Sequence, residues 1–213
     1  MARRFADEGW RVACASRSGS DLGIDGALGL VCDVRDPAQV DAAVATAVTE
    51  LGGLDAAVAN AGVGSYGPFL ELPPEQVDEM IDVNLKGTLH TARAVLPHLI
   101  ESKGDFLSLS SVAGLRGFPG ETVYNASKFG QLGFTRSLDH EMRELGVRVT
   151  NVCPGGIATE FAMGTGRTPD MPELEGMMSP EEVADVVWFV VSRPKGLRMM
   201  TVSFRPMNEG SWG

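Results

Sequence analysis

Cysteine is scarce in this chain and carries no pattern. Cys14, Cys32 and Cys153 stand far apart inside apolar runs, so they offer neither a metal-ligand spacing nor a disulfide framework. They read as buried thiols, which points to a reducing, cytoplasmic compartment. Histidine is equally sparse. His90, His98 and His140 share no motif and no metal spacing, and read as helix-surface residues. Long apolar runs are missing: the stretch V-V-W-F-V-V near Val186 falls well short of the ~20 residues that cross a bilayer. The opening M-A-R-R-F-A-D-E-G-W has two arginines but no apolar segment behind them, unlike a signal peptide. Positive charge is also short, with 18 Lys and Arg against 28 Asp and Glu, a net charge of −10 and a pI near 4.8. That balance argues against nucleic acid or an anionic membrane as partner. It leaves room for a bound nucleotide, which needs only local positive groups.

What is present suits one globular domain. A length of 213 residues has room for a real core, and 44% hydrophobic with 22% charged residues is ordinary for a soluble chain. The pattern predicts a helix end over Ala2–Gly9, strands over Arg11–Ala15 and Leu28–Cys32, and a helix over Pro37–Leu51 opened by Pro and closed by Gly52-Gly53. It continues with a strand over Leu54–Ala59 and a long helical region over Pro73–Ser102 that Pro97 should kink or break. A strand over Asp105–Leu109, a helix over Thr122–Leu145 and a strand over Val147–Cys153 follow. The last elements are a helix over Ser179–Ser192, with Ser179 as N-cap and Pro180 at the first position, and a strand over Met200–Phe204. Strands alternate with helices, and most strands are continuously apolar. The fold class expected is therefore α/β, a doubly wound parallel sheet of Rossmann-like type covered on both faces, as a single domain spanning 1–213.

One stretch carries chemistry. From Leu107 to Gly130 an apolar run ends in Ser110 and Ser111, a loop with Gly114, Gly117, Pro119 and Gly120 follows, and Tyr124 and Lys128 stand four residues apart at the head of a helix. Residues at that spacing share a helix face. A nearby cation lowers the pKa of a phenol, and a serine hydroxyl across the site can hold an oxygen that gains charge. This is a plausible acid/base kit for carbonyl chemistry. The plain structural alternative is a packed tyrosine, a surface lysine and a serine closing a strand. With two tyrosines and four lysines in the chain, Y-x-x-x-K is expected by chance only about 0.04 times.

These residues resemble the signature of the short-chain dehydrogenases/reductases, in which a Ser stands thirteen residues before the Tyr of Y-x-x-x-K. Ser111 has that spacing and Ser110 does not. The resemblance runs from about Ala2 to Val202. It implies that Tyr124 exchanges a proton, Lys128 tunes it and grips the nicotinamide ribose, and Ser111 holds the substrate oxygen. It implies that Asn84, in V-N-L-K-G, holds a water of a proton relay; read without the family, Asn84 is an exposed polar residue, and Lys86 is surface either way. Ser16 and Arg17 follow the first strand. Ser16 replaces the acid of NAD-preferring members, and Arg17 suits a 2′-phosphate, although alone it is a solvated turn residue. Asp33 and Val34 correspond to the pair that touches adenine, and also fit a strand exit. Asn60, Ala61 and Gly62 look like the family's N-A-G element, or serve only the sheet. Pro154, Gly155, Ile157 and Thr159 match the P-G-x-x-x-T element that holds the carboxamide, and also a plain glycine-rich turn. Phe161–Met178 occupies the position of a substrate flap; its methionines equally suit packing. Gly23, Gly26 and Gly29 precede a strand, so their spacing is not a phosphate loop.

The resemblance thus implies NADP(H) in preference to NAD(H), and a small-molecule carbonyl or secondary alcohol as substrate. It also implies a homodimer or homotetramer, since the equivalent helices pair across a two-fold axis and Phe129, Leu132 and Phe134 extend beyond one core stripe. Two departures stand out. The family opens with a strand and a T-G-x-x-x-G-x-G turn whose N–H groups hold the pyrophosphate, and neither precedes the helix at Ala2. A strand is therefore expected to be missing between those at Val12 and Leu54, with weak cofactor affinity and low stability as consequences. The tail F-R-P-M-N-E-G-S-W-G also replaces the family's D-G-G, so the resemblance assigns neither substrate pocket nor subunit contacts near Met207–Gly213. The rival function is a non-catalytic relative serving as a subunit or interaction module.

Overall fold

The computed structural model describes residues 1–171 and 174–209. Among the described residues six strands and six α-helices follow one another: α1 (Ala2–Asp7), β1 (Ala13–Ser16), β2 (Leu28–Val31), α2 (Pro37–Leu51), β3 (Ala56–Ala59), α3 (Pro74–Met80), α4 (Gly87–Ser102), β4 (Asp105–Leu109), α5 (Thr122–Met142), β5 (Arg148–Pro154), α6 (Pro180–Val191) and β6 (Thr201–Phe204). All strand pairs are parallel. They form two ladders, β1–β2 and β3–β4–β5–β6. Between β1 and β3 there is no pairing, which is where a separating strand is expected from sequence. The parallel, helix-flanked sheet is the expected α/β class.

Local signals set the helix ends. Asp36 accepts hydrogen bonds from the backbone N–H groups of Ala38 at 2.9 Å and Gln39 at 3.4 Å, with Pro37 behind it, and so starts α2. Ser179 and Glu182 form a reciprocal capping box at the head of α6, with distances of 3.1 and 2.7 Å.

Packing follows the strand period of two. In β4, Phe106 faces one side with Val149, Val95, Leu99 and Leu138, while Leu107 faces the other with Val152, Val187, Val190 and Phe5. A buried ion pair sits at the amino end of these strands. Arg148 meets both Asp105 oxygens at 2.6 and 3.0 Å, and Lys195 adds a third contact to Asp105 at 3.0 Å.

Several expectations need correction. The long helix is irregular at a π-helical segment, Ile81–Lys86, and not at Pro97. Pro97 lies inside α4 on its solvent face with Arg93, whose carbonyl it leaves unbonded, so the lost bond is cheap there. Cys14 is half-buried, because β1 belongs to the smaller ladder. His90 and His98 are also half-buried, and the His90 Nδ1 lies 2.9 Å from the Val34 carbonyl oxygen; only His140 is exposed. Leu132 belongs to the interior, whereas Phe129 is 44% exposed. Among the described residues no helix is long and apolar enough to cross a membrane.

Candidate active site

The carboxyl ends of β3, β4 and β5 release three short segments side by side: Asn60–Gly62, Ser110–Ser111 and Gly155–Thr159. Together with the head of α5 they enclose a cleft of about 770 Å³ that contains Tyr124, Lys128 and Ser111. Parallel strands deliver their exits to one edge, so residues distant in sequence converge there.

The two adjacent serines separate by hydrogen bonding. The buried Ser110 hydroxyl donates to the Lys128 carbonyl oxygen at 3.2 Å and ties β4 to α5. Ser111 caps a short 3₁₀ turn, accepting from the Ala113 N–H at 3.1 Å, and its side chain lines the cleft. Gly114 makes this close approach possible: a Cβ there would stand 2.7 Å from the Ser110 Oγ and 2.8 Å from the Lys128 carbonyl oxygen. Ser110 is buried and Ser111 is not, so the more exposed of the two is the one at the thirteen-residue spacing.

Tyr124 is 7% exposed, with its ring edge-on to Tyr66 at 5.6 Å and tilted against Phe161 at 5.8 Å. Burial pushes its phenol well above the ordinary value, and the Ser111 side chain draws it back only in part. This corrects the expectation that Lys128 lowers it. The Lys128 Nζ lies 5.5 Å from the centre of the Tyr124 ring and donates to the Leu109 carbonyl oxygen at 3.1 Å. The amine is itself 3% exposed, and burial depresses it to about 8. Behind it, burial also raises the Cys153 thiol, to about 11.

Asn84 is wholly buried in the π-helical segment, not exposed. Its Oδ1 accepts from the Val63 N–H at 2.8 Å, and its Nδ2 donates to the Val63 carbonyl at 2.9 Å and to the Ser127 Oγ at 3.0 Å. Ser127 in turn donates to the Tyr124 carbonyl at 2.7 Å. Asn84 thus clamps the loop after β3 against the helix that carries Tyr124. Its polar side chain is tolerated in the interior because each of its groups finds a partner.

The remaining predicted residues divide. Asn60, Ala61, Gly62, Pro154, Gly155, Ile157 and Thr159 line the cleft. The neighbouring Gly156 N–H donates to a Glu209 carboxylate oxygen at 3.0 Å, so the chain's tail folds back onto this loop. Residues 210–213 of the tail and 172–173 of the 161–178 segment lie outside the described residues. Ser16, Arg17, Asp33 and Val34 gather elsewhere, at the carboxyl ends of β1 and β2 beyond the unpaired edge. There Arg17 is exposed, and the Arg35 guanidinium holds the Asp33 carboxyl down to about 2. Sequence reasoning missed Tyr66, Phe118, Glu121 and Arg167, all lining the cleft. Glu121 stands three residues before Tyr124, a spacing that shares its helix face; the others carry no sequence signal.

Comparison with known proteins bears on the fold and the family. Over 175 residues the chain is 40% identical to oxidoreductase UcpA of Salmonella typhimurium, which covers 75% of this chain and 66% of that one. The structure of an alcohol dehydrogenase from the archaeon Thermococcus sibiricus, complexed with 5-hydroxy-NADP, matches with a TM-score of 0.87 at 27% identity, over 100% of this chain and 92% of the other. A 3-ketoacyl-(acyl-carrier-protein) reductase from Brucella melitensis complexed with NADH matches with a TM-score of 0.85 at 25% identity, over 96% and 90%. The family model described as short chain dehydrogenase matches residues 1–170. Fold and sequence agree, and the chain belongs to the short-chain dehydrogenase/reductase family.

Proposed function

We propose that the protein is a nicotinamide-dependent oxidoreductase that interconverts a carbonyl and a secondary alcohol, with NADP(H) preferred over NAD(H). The observation that carries this reading is the convergence of Tyr124, Lys128 and Ser111 on one cleft floored by Asn60–Gly62 and Gly155–Thr159. Two features suit the cofactor. A Cβ at Gly62 would stand 3.7 Å from the Lys128 Nζ, so a bare backbone borders the amine where a ribose would lie. Arg17 makes no ion pair among the described residues and has the Ser16 and Ser18 hydroxyls beside it, whereas the Asp33 acid is already held by Arg35. That set favours a phosphate over ribose hydroxyls.

The nicotinamide ring, when bound, supplies or receives hydride. In reduction the Tyr124 hydroxyl donates a proton to the substrate oxygen, and Ser111 hydrogen-bonds that oxygen as it gains charge. Lys128, charged below its pKa of about 8, would grip the nicotinamide ribose from the floor of the cleft. Asn84 supports the proton path by fixing the loop after β3 and the helix of Tyr124. The substrate is a small molecule, and the compartment is cytoplasmic.

Titrations carried to millimolar cofactor test the preference. NADPH should bind at least about tenfold tighter than NADH, the loss expected when one charge-assisted hydrogen-bonded contact is absent. Arg17→Ala should remove most of the gap. Equal affinities in the unmutated protein contradict it.

The same reading includes a homodimer or homotetramer built on α4 and α5. Leu89 and Phe129 are exposed there, beside a groove lined by Leu96 and Phe134. Sedimentation at micromolar concentration should give a mass of two or four chains; a stable monomer refutes it.

A further inference from the structure

Among the described residues four charged side chains in the cleft take no part in the chemistry above: Arg167, Glu121, Glu175 and Glu209. Glu209 is engaged by the Gly156 N–H at 3.0 Å and lies 3.6 Å from Arg205. Arg167 is different. It is half-buried, and the only hydrogen bond of its side chain among the described residues is a long one, from Nη1 to the Ile157 carbonyl oxygen at 3.3 Å. No carboxylate among the described residues comes within ion-pair distance of it. A guanidinium has five donors in a rigid fork, and those of Arg167 without a protein partner are left for a ligand in the cleft that it lines.

Its position relates it to the reacting end of the cleft. The Phe161 ring centre is 5.8 Å from the Arg167 Cζ and 5.8 Å from the centre of the Tyr124 ring. Arg167 and Tyr124 therefore flank one aromatic ring, and their separation is at most twice that distance. A small substrate with its oxygen at Tyr124 can reach the guanidinium with its other end. Tyr66 and Phe118 give the space between an apolar wall.

We propose that Arg167 anchors a single carboxylate on the substrate, so that the protein acts on oxo acids and the matching hydroxy acids. The inference rests on the oxidoreductase reading above. A planar fork suits a carboxylate bidentately. A phosphate dianion fits less well, because Glu121 and Glu175 share the cleft and repel a second negative charge. Burial raises the Glu121 carboxyl, which softens its repulsion of one anion, while Arg167 draws it down.

The test uses NADPH with 2-, 3- and 4-oxo carboxylates, their methyl esters, and dihydroxyacetone phosphate as the dianionic ketone. For at least one chain length the acid should exceed its ester in kcat/KM by at least about tenfold, with the difference in KM. Arg167→Gln should bring that ratio to within about threefold of one, and Arg167→Lys should restore part of it. Equal rates for acid and ester at every length overturn the proposal. So does a preference that survives Arg167→Gln, or a preference for the phosphate. If no carbonyl of any kind is reduced, the oxidoreductase reading fails first. Saturation-transfer NMR with the same oxo acids then reads the anchor alone: binding lost in Arg167→Gln sustains it, and equal binding in parent and variant overturns it.

Discussion

Tyr124→Phe is expected to lower turnover of an accepted ketone by about 10²–10⁴-fold, the usual contribution of a placed acid–base group, while NADPH affinity stays nearly unchanged. Burial holds the phenol protonated at neutral pH, so the parent enters reduction with its proton in place. Phenylalanine keeps the ring that packs against Tyr66 and Phe161 and removes only the hydroxyl. A folded variant that binds NADPH and has lost turnover assigns the proton to this oxygen. Turnover within tenfold of the parent would remove Tyr124 from the mechanism.

The second large effect concerns stability and Lys128. In the unfolded chain the amine titrates near its ordinary 10.5; in the fold, burial lowers it to about 8. Between those values the unfolded state holds more protons than the folded one, so this group makes stability rise with pH. Below pH 8 the full penalty applies, and it is relieved as pH rises towards 10.5. The shift amounts to about 3 kcal/mol at 1.36 kcal/mol per unit. The raised Tyr66, Tyr124, Cys14, Cys32 and Cys153 act in the opposite sense, so the parent curve alone does not isolate the lysine. The difference between parent and Lys128→Met does. Denaturant unfolding from pH 7 to pH 10 should show Lys128→Met gaining on the parent at pH 7 and losing that advantage by pH 10. Its activity should fall, since the methionine cannot grip the nicotinamide ribose. A constant difference in stability across this range would mean that the amine is not desolvated.

Features that depend on nearest neighbours were the legible ones. The alternation of apolar strands with helices, the S-P-E-E start of α6 and the thirteen-residue interval from Ser111 to Tyr124 are local patterns, and each appears in the fold where it was read. Features that depend on the third dimension were not. Asn84 looked like an exposed polar residue because nothing in V-N-L-K-G shows that Val63 and Ser127 will supply its partners. The i, i+4 spacing put Lys128 on the face of Tyr124, but could not show that its Nζ turns to the Leu109 carbonyl or that burial outweighs charge at the phenol. Pro97 was misjudged because its cost depends on which face of α4 meets water. Arg167 and Tyr66 reach the cleft only because the segment from Phe161 crosses the loop after β3, where the Thr165 hydroxyl donates to the Gly64 carbonyl oxygen at 2.7 Å and the Tyr66 N–H donates to the Thr165 carbonyl oxygen at 2.8 Å.

The central claim is that this cleft moves hydride between a nicotinamide and a substrate carbon. The most direct measurement follows the atom. The protein is incubated with NADPH carrying deuterium at both hydrogens of C4, together with the oxo acids and neutral ketones above, and the products are read by mass spectrometry and NMR. The account predicts one deuterium per turnover, on the former carbonyl carbon, formed by the parent and almost absent with Tyr124→Phe. Binding of NADPH with no deuterium transferred to any carbonyl would contradict it, and would favour the non-catalytic relative.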